Sequence, residues 1–167
     1  MNSGDLKVAA RGEREIVMTR TFHAPRSLVF QTFTNPDYVR QWLLGPDGWS
    51  MPVCEIDLRV GGKYRYVWRE DQSGREMGVS GVFQEVSPPE RVVHSEKFDQ
   101  AWYAGECLIT TIMTEHAGKT TVTLTLLYNS ANTRDAVLKS PMERGVTASY
   151  NRLETLLASA ASRRVAG

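Results

Sequence analysis

The sequence predicts an α+β fold: one antiparallel sheet of about seven strands curved around a long C-terminal helix, with two short helices after the first strand. Three observations predict it. From Trp49 to Tyr128 apolar residues recur at every second position, the period of strands with one buried and one wet face. At Ser140-Pro141-Met142-Glu143 a capping serine, a proline at the first helical position and a glutamate three residues after the cap open a helix. Between Ala24 and Leu43, two proline-marked helix starts follow a single strand.

Residues 1–12 read as a flexible leader and 162–167 as a polar tail, which leaves 13–161 as one domain. The first strand spans Glu13–Phe22, where Ile16, Met18 and Phe22 alternate with β-branched and polar neighbours. Ala24-Pro25 opens a helix with Leu28, Val29, Phe30 and Phe33 on its apolar side, because proline at the first position lacks only an N–H that would have no partner. Thr34-Asn35-Pro36-Asp37 repeats the signal for a second helix holding Tyr38, Val39, Trp42 and Leu43, and Gly45-Pro46 ends it. About six strands follow as a meander, separated by turns at Gly61-Gly62, Asp71-Gln72-Ser73-Gly74, Ser87-Pro88-Pro89 and Ala117-Gly118. Tyr64, Tyr66 and Trp68 share one face of their strand; Val122, Leu124, Leu126 and Tyr128 share one face of theirs. A short helix from about Thr133 precedes the break at Ser140, and the long helix then runs to about Ala161, roughly 30 Å at 1.5 Å per residue.

Composition excludes several function classes. The 167 residues carry 20 Lys+Arg against 19 Asp+Glu, a balance with no basic excess for nucleic acid or an anionic membrane. Cys54 and Cys107 form no CxxC, and His23, His94 and His116 form no HxxxH, so neither a disulfide framework nor a metal site is expected. No GxGxxG or GxxxxGK[ST] is present, and no cofactor is expected. The first dozen residues lack the apolar core of a signal peptide, and no stretch reaches the length of a membrane span; a cytoplasmic protein is expected.

The inward stripe of the long helix reads Met142, Val146, Ser149, Leu153, Leu156/Leu157 and Ala160. Its first half is thin, with Gly145, Ala148 and Ser149. A thin face over aromatic strands leaves either a cavity or room that Tyr64, Tyr66 and Trp68 fill as core.

The order of elements is that of a helix-grip fold, and several motifs carry a family resemblance. They are His23-Ala24-Pro25-Arg26 with Val29-Phe30, Thr34-Asn35-Pro36-Asp37 with Trp42, Asp57-Leu58-Arg59-Val60-Gly61-Gly62-Lys63-Tyr64, Gly81-Val82-Phe83-Gln84-Glu85-Val86 and Pro88-Pro89-Glu90-Arg91-Val92-Val93. Arg134-Asp135-Ala136, Met142-Glu143-Arg144-Gly145 and Ser149-Tyr150-Asn151-Arg152-Leu153 extend the pattern. From Glu15 to Ala158 the chain resembles the bacterial stand-alone homologues of the activator of the heat-shock-protein-90 ATPase, within the START-like (SRPBCC) superfamily. The resemblance implies a ligand cavity and no universal catalytic set. It does not extend to the separate N-terminal chaperone-binding domain of the eukaryotic activator. The motifs also have structural readings: Gly61-Gly62 permits a tight hairpin, Pro88-Pro89 fixes a turn, and Asp57 with Arg59 forms a surface pair worth ~0–1 kcal/mol.

Three functional readings follow. In the first, a hydrophobic or aromatic small molecule binds between the sheet and the long helix. Its wall comprises Tyr64, Tyr66, Trp68, Phe83, His94, Leu124, Leu126, Met142, Val146, Ser149 and Leu153, with Phe30, Phe33 and Trp42 at the small-helix end. Burying ~300 Å² of ligand at ~25 cal/mol/Å² gives a gross ~7 kcal/mol before association costs, enough for micromolar binding. In the second, a cyclase- or aromatase-type enzyme uses His94, which shares a strand face with Val92, Glu96 and Phe98 if that face is inward. No catalytic constellation is identifiable from spacing, so whether the chain is an enzyme stays open. In the third, a chaperone-associated interaction module or homodimer uses the loop residues Trp49 and Trp102.

Overall fold

In a computed structural model, which describes residues 5–103 and 105–166, the chain runs β1 (Lys7–Arg11), β2 (Glu15–Phe22), α1 (Arg26–Thr34), α2 (Pro36–Trp42), β3 (Trp49–Ile56), β4 (Lys63–Glu70), β5 (Glu76–Ser87), β6 (Arg91–Phe98), β7 (Cys107–His116), β8 (Lys119–Leu127), α3 (Ala131–Lys139) and α4 (Met142–Ala166). The strands make one open antiparallel sheet in the order β1-β2-β8-β7-β6-β5-β4-β3. This is the expected helix-grip architecture with one strand more than the seven expected. The extra strand replaces most of the expected leader: Lys7–Arg11 pairs with Glu15–Thr19 across a turn at Gly12, whose φ of +58° suits glycine. Only Leu6 and Val8 there turn apolar side chains toward the core, and the register against β2 supplies the rest. The α4 backbone continues beyond the expected end at 161 to Ala166, while residues 1–4 and 167 of the expected leader and tail lie outside the described residues.

Register decides which face is inner. Rows such as Ile16–Leu126–Ile109–His94 and Met18–Leu124–Thr111–Val92 cross the sheet on the side covered by α1, α2 and α4. Against that face Leu28 and Val29 of α1, Trp42 of α2, and Tyr150, Leu153 and Leu157 of α4 bury completely with Phe22, Val79, Met113 and Val122. The Trp42 indole N–H donates to the Thr32 carbonyl at 2.7 Å, so its one polar atom is satisfied inside the core.

Several motif residues prove to be clamps. The Arg134 guanidinium donates to the carbonyls of Gly12 and Glu15 and holds the β1–β2 turn against α3. Arg152 donates to the carbonyls of Trp42 and Gly45 and pairs with Asp47, and the Ser149 hydroxyl accepts the Gly45 N–H at 2.8 Å. Asp57 and Arg59 form the expected exposed pair. Gly61 and Gly62 exchange backbone hydrogen bonds with Phe83, which seats the β3–β4 connection on β5. The helix break falls at Ser140 as expected, and its hydroxyl oxygen accepts the Met142 N–H at 3.4 Å, but the reciprocal half of the capping box is not made, because the Ser140 N–H donates to the Val137 carbonyl.

The β5–β6 ladder lapses in the middle of the sheet. The register runs unshifted from Ser80–Lys97 to Phe83–His94, yet Gly81 and Val82 between them form no ladder pair with β6, and the register itself shifts between Phe83 and Glu85. Instead the Tyr64 hydroxyl donates to the Ser95 carbonyl at 2.7 Å, and Val82 N–H donates to the Ser95 hydroxyl at 3.0 Å. A side chain at Gly81 would run into the Ser95 carbonyl and the Tyr64 ring, so only glycine fits there.

Candidate ligand-binding site

The candidate residues divide by what they touch. Phe30, Trp42, Tyr64, Phe83, Leu126, Ser149 and Leu153 are sealed in the core. Phe33, Tyr66, Trp68, His94, Leu124, Met142 and Val146 keep accessible surface. The small residues of α4 do not leave the expected space. Ser149 is 2 % exposed and bonded to Gly45, and Pro46 stands 3.9 Å from where a Gly145 side chain would begin. The α2–β3 loop therefore occupies the thin part of the helix face. Tyr64, taken either as wall or as core, is core: its ring packs on Tyr66, Phe83 and His94 at centroid distances of 5.0, 5.7 and 4.9 Å. Trp68 is tied down as well, its indole N–H donating to the Leu43 carbonyl at 2.6 Å.

Polar groups converge elsewhere on the inner face. Strand β6 turns Val92, His94, Glu96 and Phe98 inward, which resolves the orientation that alternation left open. Glu96 stands in register with Cys107 of β7. Its carboxylate accepts one hydrogen bond, from the Tyr103 hydroxyl at 3.2 Å, and forms no ion pair among the described residues. Burial pushes the Glu96 carboxyl up to about 7 from an ordinary 4.5, with the Tyr103 bond opposing. Burial likewise raises the phenols of Tyr64, Tyr66, Tyr103 and Tyr128 and the thiol of Cys107, and the nearby Glu96 charge adds to each. Five groups from β4, β7, the loop after β6 and the residue after β8 thus lie within electrostatic reach of one acid.

His94 sits two residues before Glu96 on the same face. Its Nδ1 lies 3.0 Å from the Ser95 carbonyl, which can only accept, so Nδ1 carries the proton and Nε2 is left as an acceptor. Burial lowers the His94 pKa and keeps the ring neutral near pH 7. Around this polar pair, Phe98, Leu124, Met142 and Val146 supply partly accessible apolar surface. Sequence reasoning placed Glu96 beside His94 but not among the site residues, and it missed Tyr103, Cys107 and Tyr128. An acid on an otherwise apolar strand face was the legible signal for Glu96; Tyr103 lies in a loop and gave none.

The remaining candidates are less suited to a site. A groove of about 610 Å³ lies on the outer face, where Lys63, Arg65 and Lys97 alternate with Glu55 and Asp57 around the Ser95 hydroxyl. It is open and mixed in charge. Trp102 is 47 % exposed and stacks on Phe98 and Tyr103, whereas Trp49 is half-buried under the Arg75 guanidinium. Among the described residues no three His, Cys, Asp or Glu side chains are grouped to hold a metal ion, and no helix is long and apolar enough to cross a membrane.

Comparison with known proteins agrees with this architecture. The family model for Activator of Hsp90 ATPase homolog 1-like protein matches residues 23–158. A crystal structure of a Rhodobacter sphaeroides protein is 28 % identical, covers 93 % of this chain and 99 % of its own, and superposes with a TM-score of 0.88. A Chromobacterium violaceum protein is 25 % identical over 86 % of this chain and 96 % of its own, with a TM-score of 0.76. The AHSA1 protein from Silicibacter pomeroyi is 23 % identical over 86 % and 97 %, with a TM-score of 0.69, and shares the fold. No curated protein matches the chain.

Proposed function

The chain belongs to the Activator of Hsp90 ATPase homolog 1-like family, and within that fold we propose that it binds a small, largely apolar or aromatic molecule on the inner face of the sheet. The observation that carries this reading is the cluster around Glu96, where accessible apolar side chains from β4, β6, β8 and α4 surround a carboxyl and an imidazole. Apolar walls with a few convergent polar groups are the usual chemistry of a small-molecule site. A core built for stability alone gains little from a half-buried acid with no cationic partner. The expected centre lies under Met142 and Val146, nearer the start of α4 than Ser149.

Titration with diphenylhexatriene, a neutral hydrocarbon that brightens on leaving water, tests the reading. Saturable binding to the wild type is expected, with Val146→Trp abolishing it while the protein remains folded. Absence of saturable binding to the wild type would overturn the proposal. One observation favours a second reading: His94 and Glu96 both face inward, as acid–base work on a bound substrate requires. In that case Glu96→Gln would keep the ligand and lose turnover.

A further inference from the structure

The chemistry around Glu96 is lopsided. Its carboxylate has one hydrogen bond, and His94 presents Nε2 as an acceptor on the same strand face, roughly 7 Å away between Cα atoms at ~3.4 Å per residue. No lysine or arginine pairs with either group among the described residues. Aromatic rings border the cluster: Phe98 and Tyr103 pack edge-to-face at 5.9 Å, and Tyr66 packs edge-to-face on Trp68 at 6.0 Å. Two acceptors, aromatic rings and no resident cation complement a single kind of group.

Resting on the small-molecule reading above, we infer that the ligand carries a protonated primary amine, which donates to the Glu96 carboxylate and to His94 Nε2 while its aromatic or aliphatic body lies against Phe98, Leu124 and Val146. The ammonium group supplies three donors to a site otherwise made of acceptors. A carboxylate ligand would meet the Glu96 charge, and an alcohol would leave that charge uncompensated in an apolar setting.

The inference fixes a pH dependence. Burial holds the carboxyl near 7, so below that pH the amine must displace a proton, and affinity should fall about tenfold per pH unit. Above pH 7 it should level off until the amine itself loses its proton. The phenols and the thiol facing Glu96 do not blur this profile. Tyr64 and Tyr66 from β4, Tyr103 from the loop, Cys107 from β7 and Tyr128 just after β8 are all raised further above neutrality by burial, and burial moves His94 downward from its ordinary value. To the same cluster β2 and α4 bring the apolar Ile16, Met142 and Val146.

The test displaces diphenylhexatriene with 4-phenylbutylamine and with 4-phenylbutan-1-ol, two probes alike except for the head group. At pH 8 the amine should bind at least about tenfold tighter, a preference that shrinks between pH 7 and pH 5 and vanishes in Glu96→Gln. Equal affinities at pH 8 would overturn the ammonium inference and leave the apolar site standing. A preference that survives in folded Glu96→Gln would also overturn it. Failure of the hydrocarbon itself to bind would overturn both. The wild-type ratio and its pH profile decide the matter even if the variant does not fold.

Discussion

Replacing Glu96 by glutamine should stabilise the protein, and by an amount that depends on pH. Glutamine keeps the shape and the acceptor for the Tyr103 hydroxyl while removing a carboxyl that ionises in a poor environment. The folded-state pKa of about 7 lies above the ordinary 4.5, so the fold prefers the protonated form. The contribution of that form is intact below pH 4.5 and is lost as pH rises through about 7. At about 1.4 kcal/mol per pH unit the span corresponds to about 3 kcal/mol, or roughly 6–12 °C in Tm for a domain of this size. Urea unfolding of wild type and Glu96→Gln at pH 4.5, 6, 7 and 8 measures it. The difference between the two should open progressively across that range, while other titrating groups cancel between the proteins. Parallel stabilities within about 0.5 kcal/mol from pH 4.5 to 8 would refute the reasoning, because they would mean that Glu96 ionises as freely in the fold as in water.

Two further outcomes follow from packing. Gly81→Ala should cost well over ~3 kcal/mol or prevent folding, since its methyl meets a backbone carbonyl that cannot yield; wild-type urea stability would show that the Ser95 carbonyl is not fixed there. Ser149→Leu should lose ~1–3 kcal/mol, since it overpacks against the Gly45–Pro46 loop and strands the Gly45 N–H; an unchanged melting temperature would instead point to open space beneath α4.

The architecture was legible because its signals are local. Alternation around Tyr64-Tyr66-Trp68 and Val122-Leu124-Leu126 marks strands whatever they pack on, and Pro25, Pro36 and Pro141 mark helix starts by their own covalent geometry. β1 was not legible, because Lys7-Val8-Ala9-Ala10-Arg11 has almost no apolar face and is a strand only through its register with β2. β6 was half legible. Val92, His94, Glu96 and Phe98 point one way and Val93 and Ser95 the other, yet Val92, Val93 and Ser95 are all buried, so hydrophobicity alone could not choose the inner face. The small residues of α4 were visible, but what fills the room they leave comes from the loop about a hundred positions earlier. Tyr103 reaches Glu96 from irregular chain, where no periodicity exists to read.

The lapse between β5 and β6 gives the sheet a seam. On one side stand β3, β4 and β5 with Tyr66 and Phe83; on the other stand β6, β7 and β8 with His94, Glu96 and Leu124. Neighbouring strands there are stitched by a tyrosine hydroxyl and a serine side chain rather than by consecutive amide pairs, so hydrogen exchange is expected to be faster at Gly81 and Val82 than in the flanking rows. If the inner face binds a ligand as proposed, this seam is the place where its floor would yield most readily. On that reading, breadth of ligand would be a property of the sheet's joinery as much as of the side chains that line it.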